Sequence, residues 1–191
     1  AAQRPRRLLF NNDADDILLA REATAEALLV QRTTALAGSQ VDAISYGASG
    51  CFGNARYASG VWEPFTTRDD WFADHNRLPD FLAKGIDAMR VMTDLAHSNR
   101  MELFWGLRVN DTHDAALGAR GEAMRPRVKR EHPEYLVGSP ERRPPYGTWS
   151  SVDFAVPAVR DLALRFIEEA CCTYDLDGID LDFFRHPCFF R

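Results

Sequence analysis

The chain has 191 residues, 46% of them hydrophobic and 27% charged, with a formal net charge of −5. That is globular composition with enough apolar material for one core, and its acidic balance argues against a nucleic-acid binder, which needs a basic face to neutralise phosphates. No apolar run approaches the roughly 20 residues of a membrane-crossing helix, so no membrane partner is expected.

In chain order, "RRLLFNND" reads as a first strand, Leu8 to Phe10, running into polar Asn11, Asn12 and Asp13. Arg21–Leu36, rich in Ala, Leu and Glu, reads as helix. Val41–Ser49, "VDAISYGAS", reads as a second strand dissolving into a Gly-rich loop. Residues 50–77 have no clean period but carry Trp62, Phe65, Trp71, Phe72 and His75, and long excursions of this kind tend to serve function. Asp80–Arg100 reads as a second helix, with Phe81, Ile86, Met89, Met92 and Leu95 toward one side. A third strand follows, from Met101 into Asn110 and Asp111, then a second excursion over 112–151. A third helix starts at Pro157, which suits a first turn, and "DGIDLDFF" closes the pattern as a fourth strand.

Strands alternating with helices predict a parallel sheet with right-handed crossovers, and in such folds the site lies at the carboxyl ends of the strands. All four predicted strands end in polar groups: Asn12 and Asp13, Tyr46, Arg108 with Asn110 and Asp111, and Asp182 with Arg185 and His186. "FNND" has no glycine, so the Gly-rich phosphate loop of a dinucleotide fold is missing. The expected fold class is therefore α/β of the (β/α)8 barrel type. A whole barrel takes about 250 residues, so 1–191 is expected to be the amino-terminal part of one catalytic barrel domain, about four β/α units.

The last strand carries the chemistry. A period of two places Ile179 and Leu181 on one face, packed outward under helices, and Asp180 and Asp182 on the other, pointing inward. Inward carboxylates are costly unless paired or solvated, and Arg185, Arg108 or His186 are the expected partners. Structural readings stand beside these: Asp180 as a bracket for an arginine, Asp182 as the cap of the next turn, and "NDTHD" as a turn. Trp105, mid-strand, is expected in the core. At least one of the loop tryptophans Trp62, Trp71 and Trp149 is expected to be a platform for a sugar ring. His75, His97 and His132 read as structural or exposed.

The basic clusters Arg4, Arg6, Arg7 and Arg125, Arg127, Lys129, Arg130 read as solvated faces. Cys51, Cys171, Cys172 and Cys188 show no zinc spacing and read as buried small hydrophobes, with a Cys51–Cys188 bridge left open. The opening Ala-Ala-Gln reads as an end left by cleavage, which implies a secreted or periplasmic setting, or as an arbitrary boundary. Oligomeric state is not legible.

"YDLDGIDLDFFRHP" is similar to the fourth-strand motif of the glycosyl-hydrolase-like 10 group of bacterial barrel proteins. It looks more distantly like the fourth-strand segment of alpha-amylase-type enzymes, in which a strand Asp is the nucleophile. The resemblance extends over "LLFNND", "VDAISY", "FWGLRVNDTHD", "HPEYLVG" and "WSSVDFAVPAVRDLALRFIEE", most of the chain. It implies glycoside hydrolysis of a poly- or oligosaccharide by two carboxyl groups, with no cofactor and no metal. Asp182 would be one carboxylate, as nucleophile, with Asp180 beside it and the partner on a later strand. Asn12, Asp13, Tyr46, Arg108, Asn110, Asp111, His113, Arg185 and His186 would contact the carbohydrate, with Asp114 a further candidate. Two other readings stand open: a non-catalytic carbohydrate-binding barrel, and a metal-dependent barrel hydrolase or isomerase using Asp182, His186, Asp111 and His113 as ligands.

Overall fold

The computed structural model describes residues 7–116 and 118–191. Arg4 and Arg6 of the first basic cluster, and the Ala-Ala-Gln start, lie outside them. Strand β1 spans Leu9–Asn12, β2 Ala43–Gly47, β5 Glu102–Arg108 and β6 Gly178–Asp182. These four form one parallel sheet in the order β1-β2-β5-β6. Spatial order follows chain order without reversal, so among the described residues the sheet has no doubly wound switch point and β1 and β6 are its edges. β3 (Asn54–Ala55) and β4 (Glu63–Pro64) form a separate parallel pair inside the first excursion.

The register runs Asn12 to Tyr46, Gly47 to Gly106, Gly106 to Asp180 and Arg108 to Asp182. It brings all four carboxyl ends to one rim. β2 is buried on both faces from Ala43 to Tyr46, as an interior parallel strand must be. Gly106 is where side chains on the neighbouring strands close over the sheet: a Cβ there would stand 3.0 Å from Ser45 Oγ and 3.1 Å from the Tyr46 carbonyl oxygen. Trp105 and Tyr46 are fully buried, so Trp105 is a core residue as expected.

Helix α8 (Pro157–Thr173) starts at its proline and buries Val159, Ala163, Phe166 and Ala170, a 4-3-4 spacing that makes one apolar stripe. Phe166 stacks on Trp62 at 4.0 Å and meets Trp105 edge-on. Full burial of such a ring contributes about 1.5–3 kcal/mol. From the same helix Glu169 ties down the first excursion, accepting bonds from Ser59 Oγ and the Gly60 N–H, both at 2.6 Å.

The other two predicted helices are broken. Arg21–Leu36 contains only α2 (Ala25–Leu29), capped by Thr24 Oγ1 on the Ala27 N–H, and a 3-10 turn at Thr34–Leu36. Between them Thr33 is buried and receives the Asn12 amide. Asp80–Arg100 divides into α4 (Leu78–Ala83) and α5 (Ala88–Ser98). Gly85, at φ +68°, ends α4 with paired bonds from Ile86 N to Phe81 O and Gly85 N to Leu82 O. Asp87 then restarts the chain by accepting from Met89 and Arg90 N–H.

Three further expectations need correction. Leu181 is 41% exposed rather than covered by helices, whereas Ile179 packs against the core. Lys129 is no part of a solvated face: it is 2% exposed and paired with Asp114 at 2.9 Å. All four cysteines are free thiols; Cys51 is buried, but Cys171 and Cys172 are exposed, so they are not core hydrophobes. No helix among the described residues is long and apolar enough to cross a membrane.

Candidate functional site at the strand ends

Each strand end is shaped by a local turn. After β1, Ala14 takes a left-handed backbone at φ 58°, and Asn12 Oδ1 accepts its N–H at 2.9 Å. The Asn12 amide donates to Asp16 Oδ2 at 2.7 Å, so this side chain is wholly engaged inside the protein. Burial pushes the Asp16 carboxyl upward, partly opposed by the Asn12 bond and the Arg32 charge. Asn110 is used in the same way, donating to the carbonyls of Val152 and Cys188 and accepting the Val152 N–H. Tyr46 lies entirely in the core, its hydroxyl enclosed without a partner among the described residues and driven to higher pKa by burial. Asp114 is interior, bonded to Lys129 and Ser150. The expected sugar contacts from Asn12, Tyr46, Asn110 and Asp114 therefore give way to interior roles: the loops fold over the rim and consume these polar groups.

Asp180 and Asp182 do share a face with the rim. Ser45 Oγ donates to Asp180 Oδ2 at 2.6 Å. Asp182 Oδ1 accepts the N–H groups of Phe184 and Arg185 at 2.9 and 3.0 Å, capping the turn after β6 and leaving Oδ2 for other company. Among the described residues no arginine or histidine lies within 4.0 Å of either carboxylate. The expected compensation by Arg108 goes elsewhere: its guanidinium meets Asp13 at 2.5 Å and Asp111 at 3.2 Å.

That arginine divides the rim. Asp13 and Arg108 line both a small nook of about 20 Å³ beside Asp180 and Asp182, and a cleft of about 240 Å³ on the other side. The nook holds about one water. The cleft approaches the lower end of small-ligand pockets, roughly 300 Å³. Asp111, His113, Arg185 and Trp71 face the cleft. Burial works against ionised Asp111, yet bonds from the His113 ring (2.7 Å) and backbone (3.0 Å), with the Arg108 charge, hold its carboxyl well below the usual range. His186 takes the Thr112 N–H on Nδ1, and burial lowers its pKa further with help from the charges of His113, Arg185 and Arg108, against the pull of Asp111. Asp111, His113 and His186 each offer one ligand atom within 4.8 Å of the others, a group that could hold a metal ion.

The three loop tryptophans separate cleanly. Trp62 and Trp149 are buried, whereas Trp71 is 36% exposed on the cleft and stacked on His75 at 3.9 Å. Arg32, Arg56, Arg120 and Asp15 also line the cleft. Nothing local in the sequence marks these charged residues, spread over a turn, a predicted helix and two aperiodic loops, as facing one cleft.

No family model matches the chain, and no curated protein matches it. Among solved structures it is similar to an alpha-L-fucosidase isoenzyme 2 from Paenibacillus thiaminolyticus, at TM-score 0.56 and 18% identity over 94% of this chain and 23% of that one. A second is an alpha-galactosidase from Lactobacillus brevis, at TM-score 0.48 and 16% identity, covering 100% of this chain and 22% of that one. The chain spans less than a quarter of the length of either structure. At 18% identity the first likeness is one of fold alone: an α/β unit with a parallel sheet.

Proposed function

We propose that the chain is part of a (β/α)8-type glycoside hydrolase acting on a poly- or oligosaccharide, with Asp182 as one of two carboxylates. The observation that carries this reading is the shared face of Asp180 and Asp182 at a rim where Asp13, Arg108 and the cleft also converge. Asp182 has one oxygen fixed by two backbone N–H groups, which orients the carboxylate while the other oxygen is left to reach an anomeric carbon or a water. Asp180, held by Ser45, supports it from the strand. The second carboxylate is assigned to a part of the barrel beyond these four strands. The fold likeness to a glycosidase supports the reading.

The test is hydrolysis of a glycoside panel by the protein at its full natural length. Asp182→Asn should lower turnover by about 10²–10⁴-fold or more with the fold intact. Undiminished activity removes Asp182 from the mechanism, and tight binding without turnover favours a carbohydrate-binding barrel.

One observation favours a second reading, a metal-dependent hydrolase: the cluster of Asp111, His113 and His186. Arg108, 3.2 Å from Asp111 Oδ2, opposes a cation there by like-charge repulsion. Metal content of the purified protein, with and without His113→Ala, separates the readings.

A further inference from the structure

Five arginines and three aspartates line the cleft, a positive excess on a chain whose net charge is −5. Two of the arginines are committed. Arg108 bridges Asp13 and Asp111, and Arg32 lies 3.6 Å from Asp16. Arg56 is different. It is only 9% exposed and touches Asp15 through Nη2 at 3.5 Å, while its Nε and Nη1 are enclosed with no acceptor among the described residues. A buried guanidinium with idle donors has lost its water without recovering the hydrogen bonds. Arg120 lies over the Trp71 ring, its guanidinium carbon 5.2 Å from the centroid, and Arg185 follows the β6 cap; among the described residues neither has a carboxylate within 4.0 Å.

A pocket built for neutral hydroxyls needs acceptors as well as donors, since each hydroxyl both gives and takes. Here each cleft aspartate already faces a cation: Asp111 meets His113 and Arg108, Asp13 meets Arg108, and Asp15 lies 3.5 Å from Arg56. The unspent groups are guanidinium forks, whose planar geometry fits the paired oxygens of a carboxylate or sulfate. We infer that the cleft selects glycans carrying an anionic group, a uronic carboxylate or a sulfate ester, which Arg56, Arg120 and Arg185 recognise, with Arg120 steadied on the Trp71 ring. The inference rests on the hydrolase reading and names its substrate class.

Calorimetry tests it, with the full-length Asp182→Asn protein to suppress turnover and oligosaccharides of equal length that are neutral, uronic or sulfated. At least one acidic series should bind about tenfold or more tightly than the neutral one, with an advantage that shrinks as salt is raised. Whichever acidic series keeps the advantage identifies the anion. Adding Arg120→Gln and Arg185→Gln should erase the preference. Arg56→Gln should do the same, and its thermal melt shows whether the buried change preserves the fold. Neutral glycans binding as tightly as both acidic series, or a preference that survives the exposed double change, overturns the inference and leaves the hydrolase standing. If no glycan of any kind binds, the hydrolase reading fails first and takes the inference with it.

Discussion

Ser45 on β2 and Asp180 on β6 hydrogen-bond to each other at 2.6 Å across the strand between them, whose residue at that level, Gly106, has no side chain to intervene. The bond links two strands that are not neighbours, and it holds the carboxylate adjacent to Asp182 in place. Ser45→Ala should cost about 1–2 kcal/mol, below the full value for a bond to a charged group because Asp180 is half-exposed and water replaces part of it. Gly106→Ala should cost about 1–3 kcal/mol by crowding Ser45 Oγ and the Tyr46 carbonyl. Urea titration of both variants measures this; unchanged midpoints would mean the bridge contributes nothing to the sheet.

Acid should destabilise the protein through two rim groups acting in the same direction. The Asp111 carboxyl is held below its ordinary range in the fold, so its stabilisation is fully present above the unfolded value of about 3.9 and is lost as pH falls toward the folded midpoint. His186 is held neutral, its folded midpoint below the unfolded value of about 6.5. Between those two values the unfolded chain binds a proton that the folded one declines, so stability falls there on acidification as well. Urea midpoints between pH 8 and 3 should decline in two stages, and Asp111→Asn should abolish the lower one. Proton NMR of the His186 ring should give a midpoint below 6.5, and a midpoint above it would contradict the burial of the neutral ring.

Trp71 and Trp62 should respond oppositely to truncation. Trp62→Ala removes a ring stacked at 4.0 Å on Phe166 in the core and should cost about 3–5 kcal/mol. Trp71→Ala removes a ring a third exposed on the cleft and should leave the melting temperature within a few degrees, while weakening glycan binding by about tenfold because Arg120 loses the ring it lies on. Thermal melts beside binding isotherms check the pair. Equal loss of stability in both would make Trp71 a loop anchor.

The strand ends were readable because they depend on local pattern: an apolar run, a period of two, then polar residues. The same polarity misled at Asn12, Tyr46 and Asn110, since whether a rim residue faces a ligand or a covering loop depends on contacts such as Asn110 with Val152 and Cys188, 42 and 78 residues away. Helix ends failed for a related reason. Gly85 inside an apolar 3.6-residue pattern looks tolerable, and only the paired bonds to Phe81 and Leu82 reveal it as a stop. Arg56 and Arg120 carry the cleft's surplus charge from excursions with no period at all, so no pattern could have found them.

Lys129 and Asp114 test whether the second excursion is held by charge or by packing. They meet at 2.9 Å with both side chains almost wholly buried, and Ser150 donates to the same carboxylate oxygen while Asp114 Oδ2 has no partner among the described residues. Lys129→Met alone strands a buried carboxylate and should cost about 3–5 kcal/mol. Replacing both, with Asp114→Leu added, removes the stranded charge and should recover most of that loss, because burying two ions costs nearly what their attraction returns. Lys129 also donates to the Asp111 carbonyl at 3.3 Å, so the single change should disturb the cleft, visible as a shifted His186 titration. If the double variant is no more stable than the single one, the pair is fixing the loop's geometry and not merely satisfying its own charges.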